Sequence, residues 1–203
     1  HSKPELFCTS LSPHNQERFG CSGCHGGANQ RLEFKTTFHT PSNAEEREVW
    51  ESDPRLHWHP VHEWDFPMLS SEFIDSSCYR CHRNEVHIAG AAKWNRGRDL
   101  VAKFGCFGCH KMAPMDGERR AAPPLGHLVS KLSSLDWMLK WVDNPSSFRP
   151  TTRMPAYFHL ENRAMEAGRA QAEVTAIVSY VLSLNTPVEL DKYPGNGDVE
   201  RGR

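Results

Sequence analysis

The spacing of apolar residues differs between the two parts of the chain. After about residue 90, apolar side chains recur every three or four positions in three segments, which is the pattern of a helix with one buried face. The first 90 or so residues show little such periodicity. We therefore predict a mainly α protein with extensive irregular loops, in which a loop-rich module (residues 1–90) precedes an all-α domain (residues 91–187).

Start and stop signals predict the limits of these helices. The first runs through "WNRGRDLVAKFG" and ends at Gly105, because glycine commonly follows the last helical turn. The second begins near Ser134, whose hydroxyl is a suitable cap, and stops before Pro145. The third lies in "AEVTAIVSYVLSLN". The intervening segments "AAPPLGHL" and "RPTTRMPAYF" contain prolines, and we predict that they are loops.

Composition limits the size of the core and the classes of partner. The 203 residues suffice for one large or two small domains, but 38% hydrophobic residues with 14 Gly and 14 Pro give a thin core. The net charge is -1 and the charges are mixed along the chain, so no basic face indicates nucleic-acid binding. No apolar run reaches the roughly 18 to 20 residues of a membrane span, and we predict none.

Six of the seven cysteines belong to one motif, C-x-x-C-H, which occurs three times. A disulfide framework would scatter its cysteines, a zinc ribbon would place its pairs about 15 to 20 residues apart, and an iron–sulfur cluster would need four thiolates together. A thioredoxin-like site would occur once and without the trailing histidine. The seventh cysteine, Cys8, has no assigned role. The three copies are Cys21-Cys24-His25, Cys78-Cys81-His82 and Cys106-Cys109-His110.

C-x-x-C-H is the pattern at which c-type haem is attached covalently. Two thiols about one helical turn apart reach the two vinyl groups of one porphyrin, and the next residue directs its imidazole to the iron. We therefore expect three covalent haems c, with His25, His82 and His110 as proximal ligands. Each porphyrin would add apolar surface to the thin core, so we expect the chain to fold poorly without haem.

The order of parts around the third motif resembles a class I cytochrome c domain over about residues 91–187. The matching features are the helix that leads into the motif, the Pro-x-Leu stretch at Pro123, the "RMP" loop and the C-terminal helix with Tyr180. The resemblance implies that Met154 is the distal ligand of the third iron. It also implies that the carbonyl of Pro123 accepts the Nδ1 proton of His110. His/Met ligation would raise the reduction potential of that haem.

The N-terminal dihaem module is rich in histidines outside its motifs, and it resembles the haem-rich N-terminal regions of large bacterial multihaem cytochromes. In such proteins extra histidines serve as sixth iron ligands. We favour His39 in "TFHTPS" and His62 in "HPVHEW", because each adjoins a Pro or Trp that would hold it against a porphyrin. His14 and Met68 are further candidates. The sequence does not assign these ligands to particular irons.

Three haems on a short chain favour an electron-transfer protein over an enzyme. Low-potential bis-histidine haems would pass electrons to the His110/Met154 haem, and the partners would be other redox proteins or cytochrome domains met through a transient interface. Two alternatives stay open. One is a haem enzyme with an open iron that reduces peroxide or a nitrogen oxide, and the other is a docking subunit of a larger respiratory complex. The resemblance implies a periplasmic or otherwise extracytoplasmic location.

The last residues, 188–203, are predicted to be a linker. They contain the turn-rich "KYPGNGD" and end in "ERGR", which is similar to the "NRGR" that opens the helix before the third motif. We expect a further cytochrome domain to follow, with another C-x-x-C-H about ten residues past Arg203.

Overall fold

The computed structural model describes residues 4–7, 9–27, 44–54, 68–115, 121–131, 134–160, 167–186 and 188. Within these ranges the chain is helical and forms no strand. It contains two isolated β-bridges, Gly26 with Met68 and Met112 with Met115. Long irregular segments connect the helices. The prediction of a mainly α protein with extensive loops is therefore confirmed.

Four longer helices are joined by one-turn helices and loops. The longer helices are α1 (Ala44–Ser52), α2 (Ala92–Phe104), α3 (Leu135–Asp143) and α4 (Ala167–Ser183). One-turn helices cover Pro4–Phe7, Gln16–Phe19, Ser22–His25, Asp75–Cys78 and Pro145–Phe148, and 3-10 turns cover Cys106–Gly108 and Val129–Lys131.

The predicted end of α2 and the predicted start of α3 agree with the structure because they rest on local capping, whereas α4 begins at Ala167, before the Ala172 that opens the predicted segment. Gly105 takes the left-handed conformation with φ 68°, and its N–H closes the last turn of α2 on the carbonyls of Val101 and Ala102. The hydroxyl of Ser134 accepts a hydrogen bond from the backbone N–H of Trp137 at 3.1 Å and caps α3. Helix α1 was not predicted.

Helices α2 and α4 cross with their backbones in contact. A Cβ atom placed on Gly97 would lie 1.9 Å from the carbonyl oxygen of Ala176 and 2.9 Å from the Cβ of Tyr180. Next to this crossing, the ring of Trp94 packs edge-on against Tyr180 at 5.3 Å between centroids, and its indole N–H donates to the hydroxyl of Ser183 at 2.8 Å. Only a residue without a side chain permits this approach at position 97.

The hydrophobic core is centred on this crossing. Met138 from α3 and Phe158 from the loop after it are buried in the same cluster. Phe73 and Ile88, which precede the predicted domain boundary near residue 90, also belong to this cluster. The two predicted modules therefore share packed surface at this point. The other buried members include Leu100, Val101, Met112, Val174, Ile177, Val178 and Tyr180.

The segment around the second C-x-x-C-H motif is joined to the start of α2. The carboxylate of Asp75 accepts hydrogen bonds from the backbone N–H groups of Lys93 at 2.8 Å and Trp94 at 3.4 Å, which caps the helix. The side-chain amide of Asn95 bonds both backbone groups of Ile88, at 2.9 and 2.8 Å. These contacts fix the second motif relative to the helical core.

No helix in the part of the chain that the structure describes combines the length and the apolar composition needed to cross a bilayer.

Candidate functional site

The three C-x-x-C-H motifs have the same backbone geometry. In each, the N–H of the histidine donates to the carbonyl of the first cysteine at 3.0 Å, and the N–H of the second cysteine donates to the same carbonyl at 3.2 or 3.3 Å. Residues three and four positions apart lie on one face of such a turn. Each motif therefore presents two thiols and one imidazole toward the same side.

All six cysteines of the motifs are free thiols. Burial raises the pKa of Cys78 to about 11 and that of Cys106 to about 11. Burial also raises the pKa of Cys24, and the nearby Cys81 adds to the shift. At neutral pH these groups are protonated thiols, which remain available for a covalent bond.

The arrangement of donors fits a metal that brings its own equatorial ligands. Among the residues described here, no three His, Cys, Asp or Glu side chains converge as a metal site would require. Structural zinc and iron–sulfur sites need three or four protein donors in one place. A porphyrin supplies four nitrogens to its iron, so the protein has to add only one or two axial ligands. Haem is thus compatible with one imidazole per motif.

The ring of His110 is oriented by the loop that follows the third motif. Its Nδ1 lies 2.7 Å from the carbonyl oxygen of Pro123, and because a carbonyl only accepts, Nδ1 carries the proton. The expected contact is thus present. Backbone hydrogen bonds from Ala122 to Cys109 and from Leu125 to Lys111 hold the loop against the motif. The lone pair of His110 Nε2 is left for a ligand.

The ring of His82 is oriented by a carboxylate instead. Its Nδ1 lies 2.6 Å from Oε1 of Glu85, three residues further along the chain. A carboxylate partner fixes the same tautomer and makes the imidazole a stronger donor at Nε2. Glu85 was not identified from the sequence, although its position three residues after a motif histidine is the available signal.

The first and second motifs are neighbours in the structure. The backbone N–H of Leu69 donates to the carbonyl of His25 at 2.7 Å, and the bridge between Gly26 and Met68 continues this contact. Besides burial, the nearby Cys81 raises the pKa of Cys24, and the nearby Cys24 adds to the raised pKa of Cys78, which places the thiols of the two motifs close together. Burial lowers the pKa of the His25 imidazole, which favours the neutral form that metals bind. The bridge to Gly26 places Met68 beside the first motif.

Met154 lies in an irregular loop, as predicted, and its sulfur accepts a hydrogen bond. The indole N–H of Trp141 on α3 donates to Met154 Sδ at 3.0 Å. Met154 is partly exposed, whereas Met112 and Met138 are 1% and 4% exposed and belong to the core. The contact with Trp141 was not predicted, because the two residues meet only when the loop folds back onto α3.

The loop of Met154 also packs beside the third motif. Tyr157 stacks on Phe104 with 4.8 Å between ring centroids, and Phe104 is the last residue of the helix that leads into the motif. Burial raises the pKa of Tyr157, and the thiols of Cys106 and Cys109 raise it further, which places the phenol close to both.

The candidate distal histidines of the N-terminal module have different outcomes. His39 and His62 lie outside the described residues. His14 is in the described part, and its ring centroid is 5.8 Å from that of His82 in the second motif. The structure thus brings His14 close to a motif that is distant in sequence.

The chain matches no family model, and no curated protein or solved structure matches it significantly.

Proposed function

We propose that this chain is a trihaem c-type cytochrome that carries electrons between redox partners. The observation that carries the proposal is the repeated turn geometry. Three unrelated segments of the chain fold C-x-x-C-H into the same turn, with the histidine N–H 3.0 Å from the carbonyl of the first cysteine in each case. A recurring chemical requirement explains this better than local packing does, because the three surroundings differ.

The residues of each motif would hold one haem c. In each attachment, a cysteine S–H adds across a vinyl group, so that sulfur bonds to one vinyl carbon and the proton goes to the other. His25, His82 and His110 would be the proximal ligands, and the acceptors on Nδ1 of His82 and His110 would hold those rings in place. When bound, haem supplies an iron that cycles between the ferrous and ferric states and so carries one electron.

The C-terminal part supports a class I cytochrome c domain. The helix before the third motif crosses the C-terminal helix at Gly97, and a shorter helix and a methionine-bearing loop lie between them in the chain. We propose Met154 as the distal ligand there, with Trp141 as the partner of its sulfur. Such ligation favours the ferrous state, so this haem would have the highest reduction potential of the three.

The N-terminal part would then contain the two haems of lower potential. The first and second motifs are in contact, so electrons would pass readily between their haems and onward to the third. The donor and acceptor would be other redox proteins or cytochrome domains, and the location would be periplasmic or otherwise extracytoplasmic. The chain could also serve as a docking subunit of a larger respiratory complex.

A potentiometric titration of the purified holoprotein tests the role in electron transfer. We expect three reversible one-electron steps. The step at the highest potential should be lost in a Met154→Ala variant. It should be unchanged in a Met112→Leu variant. Carbon monoxide should bind no haem of the wild-type protein at neutral pH. A wild-type haem that binds carbon monoxide and turns over peroxide or nitrite would contradict the carrier role and indicate an enzyme.

A further inference from the structure

The position of His14 is set by a compact turn before the first motif. The hydroxyl of Ser12 donates to the carbonyl of Leu6 at 2.6 Å and accepts the backbone N–H of His14 at 3.0 Å. Ser12 is only 5% exposed. The ring of His14 packs against Phe7 and Phe19, with 5.6 Å between ring centroids in each pair. The side chain is therefore held in one place and is not a freely rotating surface histidine.

The proton on the His14 ring is also assigned. Nδ1 lies 3.2 Å from the carbonyl oxygen of Leu6, and because this oxygen only accepts, Nδ1 is the protonated nitrogen. His82 has the same tautomer, because Nδ1 donates to Glu85 at 2.6 Å. Each ring therefore keeps its lone pair on Nε2, the atom that binds a metal when Nδ1 is occupied by an acceptor.

The distance between the rings of His14 and His82 is the distance expected for two imidazoles that bind one metal ion from opposite sides. Two imidazoles on opposite sides of an ion, each at the ~2 Å typical of a metal–histidine bond, have ring centroids about 6 Å apart. The centroids of His14 and His82 are 5.8 Å apart. The planes of the rings are inclined by 54°. This angle is compatible with the pair, because each ring can turn about its own metal–nitrogen bond.

We propose that His14 is the distal ligand of the iron held at the second motif, opposite His82. This assignment rests on the proposed function, since it requires a haem at Cys78 and Cys81. It makes the segment before the first motif supply a ligand to the second haem, so the two haems of the N-terminal module share one folded unit. The one distal position on the first iron is then left for His39, His62 or Met68.

A competing explanation of the position of His14 is that its ring only packs against its aromatic neighbours and binds no iron. Phe7 and Phe19 would enclose any ring at position 14, so stability measurements do not separate the two explanations. Spin state and ligand binding do separate them, because only the loss of an axial ligand opens an iron. The test therefore uses the spectroscopy of the holoprotein.

The experiment compares His14→Ala with wild type and with His87→Ala, which removes an exposed histidine of the same module. Paramagnetic resonance of the ferric form and carbon monoxide titration of the ferrous form are recorded for each. For His14→Ala we expect one of the three haems to become high-spin and the number of carbon monoxide molecules bound per chain to rise by one. Added imidazole should restore the low-spin signal in His14→Gly. His87→Ala should match wild type.

A second pair of variants identifies the iron. In a Cys78→Ala/Cys81→Ala background, which lacks the second haem, adding His14→Ala should create no further carbon monoxide site. If it does create one, His14 binds another iron and the assignment is wrong. Should His14→Ala not fold, His14→Met keeps a sixth ligand, and one haem potential should rise while all haems stay low-spin.

Failure of the assignment is distinguishable from failure of the proposed function. Covalent haem is counted by mass in the same samples. If wild type contains three haems and His14→Ala keeps them all low-spin and closed to carbon monoxide, the assignment alone is overturned. If wild type contains no covalent haem, the proposed function itself is overturned.

Discussion

At the scale of single residues, hydrogen bonds orient three of the candidate iron ligands. His110 donates to a backbone carbonyl, His82 to a carboxylate, and the sulfur of Met154 accepts from an indole. The contact of His110 with Pro123 was predictable, because the resemblance to class I cytochromes c includes it. Trp141 was not predictable, since nothing in the local sequence relates it to Met154.

The hydrogen bond from Trp141 to Met154 should tune the potential of the third haem. An N–H donor draws electron density from the sulfur and thereby favours the ferrous iron, so Trp141→Phe should lower this potential. If the bond differs by about 1 kcal/mol between the two oxidation states, the shift is about 40 mV. Trp137→Phe is the matched control, because Trp137 stacks on Trp141 at 5.2 Å and has no hydrogen bond to the sulfur among the described contacts. Equal potentials in wild type and Trp141→Phe would show that the indole has no such role.

At the scale of elements, helices α2, α3 and α4 were predictable because each has an apolar stripe, and α2 and α3 also have a clear end signal. Helix α1 was missed because its apolar residues are few and the surrounding sequence shows little periodicity. The turns of the motifs follow from the spacing of the ligands. How α2 and α4 meet was not predictable, since an interior glycine indicates a weak helix position as readily as a close crossing.

The crossing at Gly97 should tolerate no side chain. The added methyl group of Gly97→Ala would lie 1.9 Å from a backbone oxygen of α4, so one helix has to move. We expect a loss of at least about 2 kcal/mol in the free energy of unfolding of the holoprotein, measured by denaturant titration. The control is Gly168→Ala, because a Cβ there meets nothing within 4 Å. That control should be neutral or slightly stabilising. Similar stabilities for the two variants would contradict the observed crossing.

An ion pair across the same two helices should make stability depend on pH. Glu173 of α4 is buried, and burial alone would raise its pKa. Hydrogen bonds from Arg96 and Arg169 outweigh this effect and hold the pKa of Glu173 below its ordinary value of 4.5. The stability that ionised Glu173 contributes to the fold is therefore complete above pH 4.5. It is lost as the pH falls through the lower pKa that Glu173 has in the folded protein.

The variant Glu173→Gln isolates this contribution. At pH 7 we expect it to lower the free energy of unfolding by about 1 to 3 kcal/mol, because two arginines lose a charged acceptor. Below pH 4.5 the difference from wild type should shrink. Glu48→Gln, an exposed change on α1, should show no such trend. A difference that stays constant or grows in acid would rule out this role of Glu173.

At the scale of the whole molecule, the three motifs are spaced unequally. The first and second motifs are in contact, and Asp75, Tyr79 and Asn95 fix the second to the start of α2. The third motif follows the end of this helix, whose 13 residues span about 20 Å. The sequence indicated two haems in one module and one in the other. It did not indicate that the second motif packs on the core of the C-terminal helices, because that depends on contacts between side chains of different segments.

Each C-x-x-C-H turn is proposed to hold one covalent haem. The most direct test is the intact mass of the chain, expressed with haem maturation and denatured before the measurement so that only covalent groups remain. We predict the mass of the polypeptide plus three haems. Changing both cysteines to alanine in any one motif should remove one haem and leave the other two. A mass equal to that of the unmodified polypeptide, or a motif variant that keeps all three haems, would contradict the account.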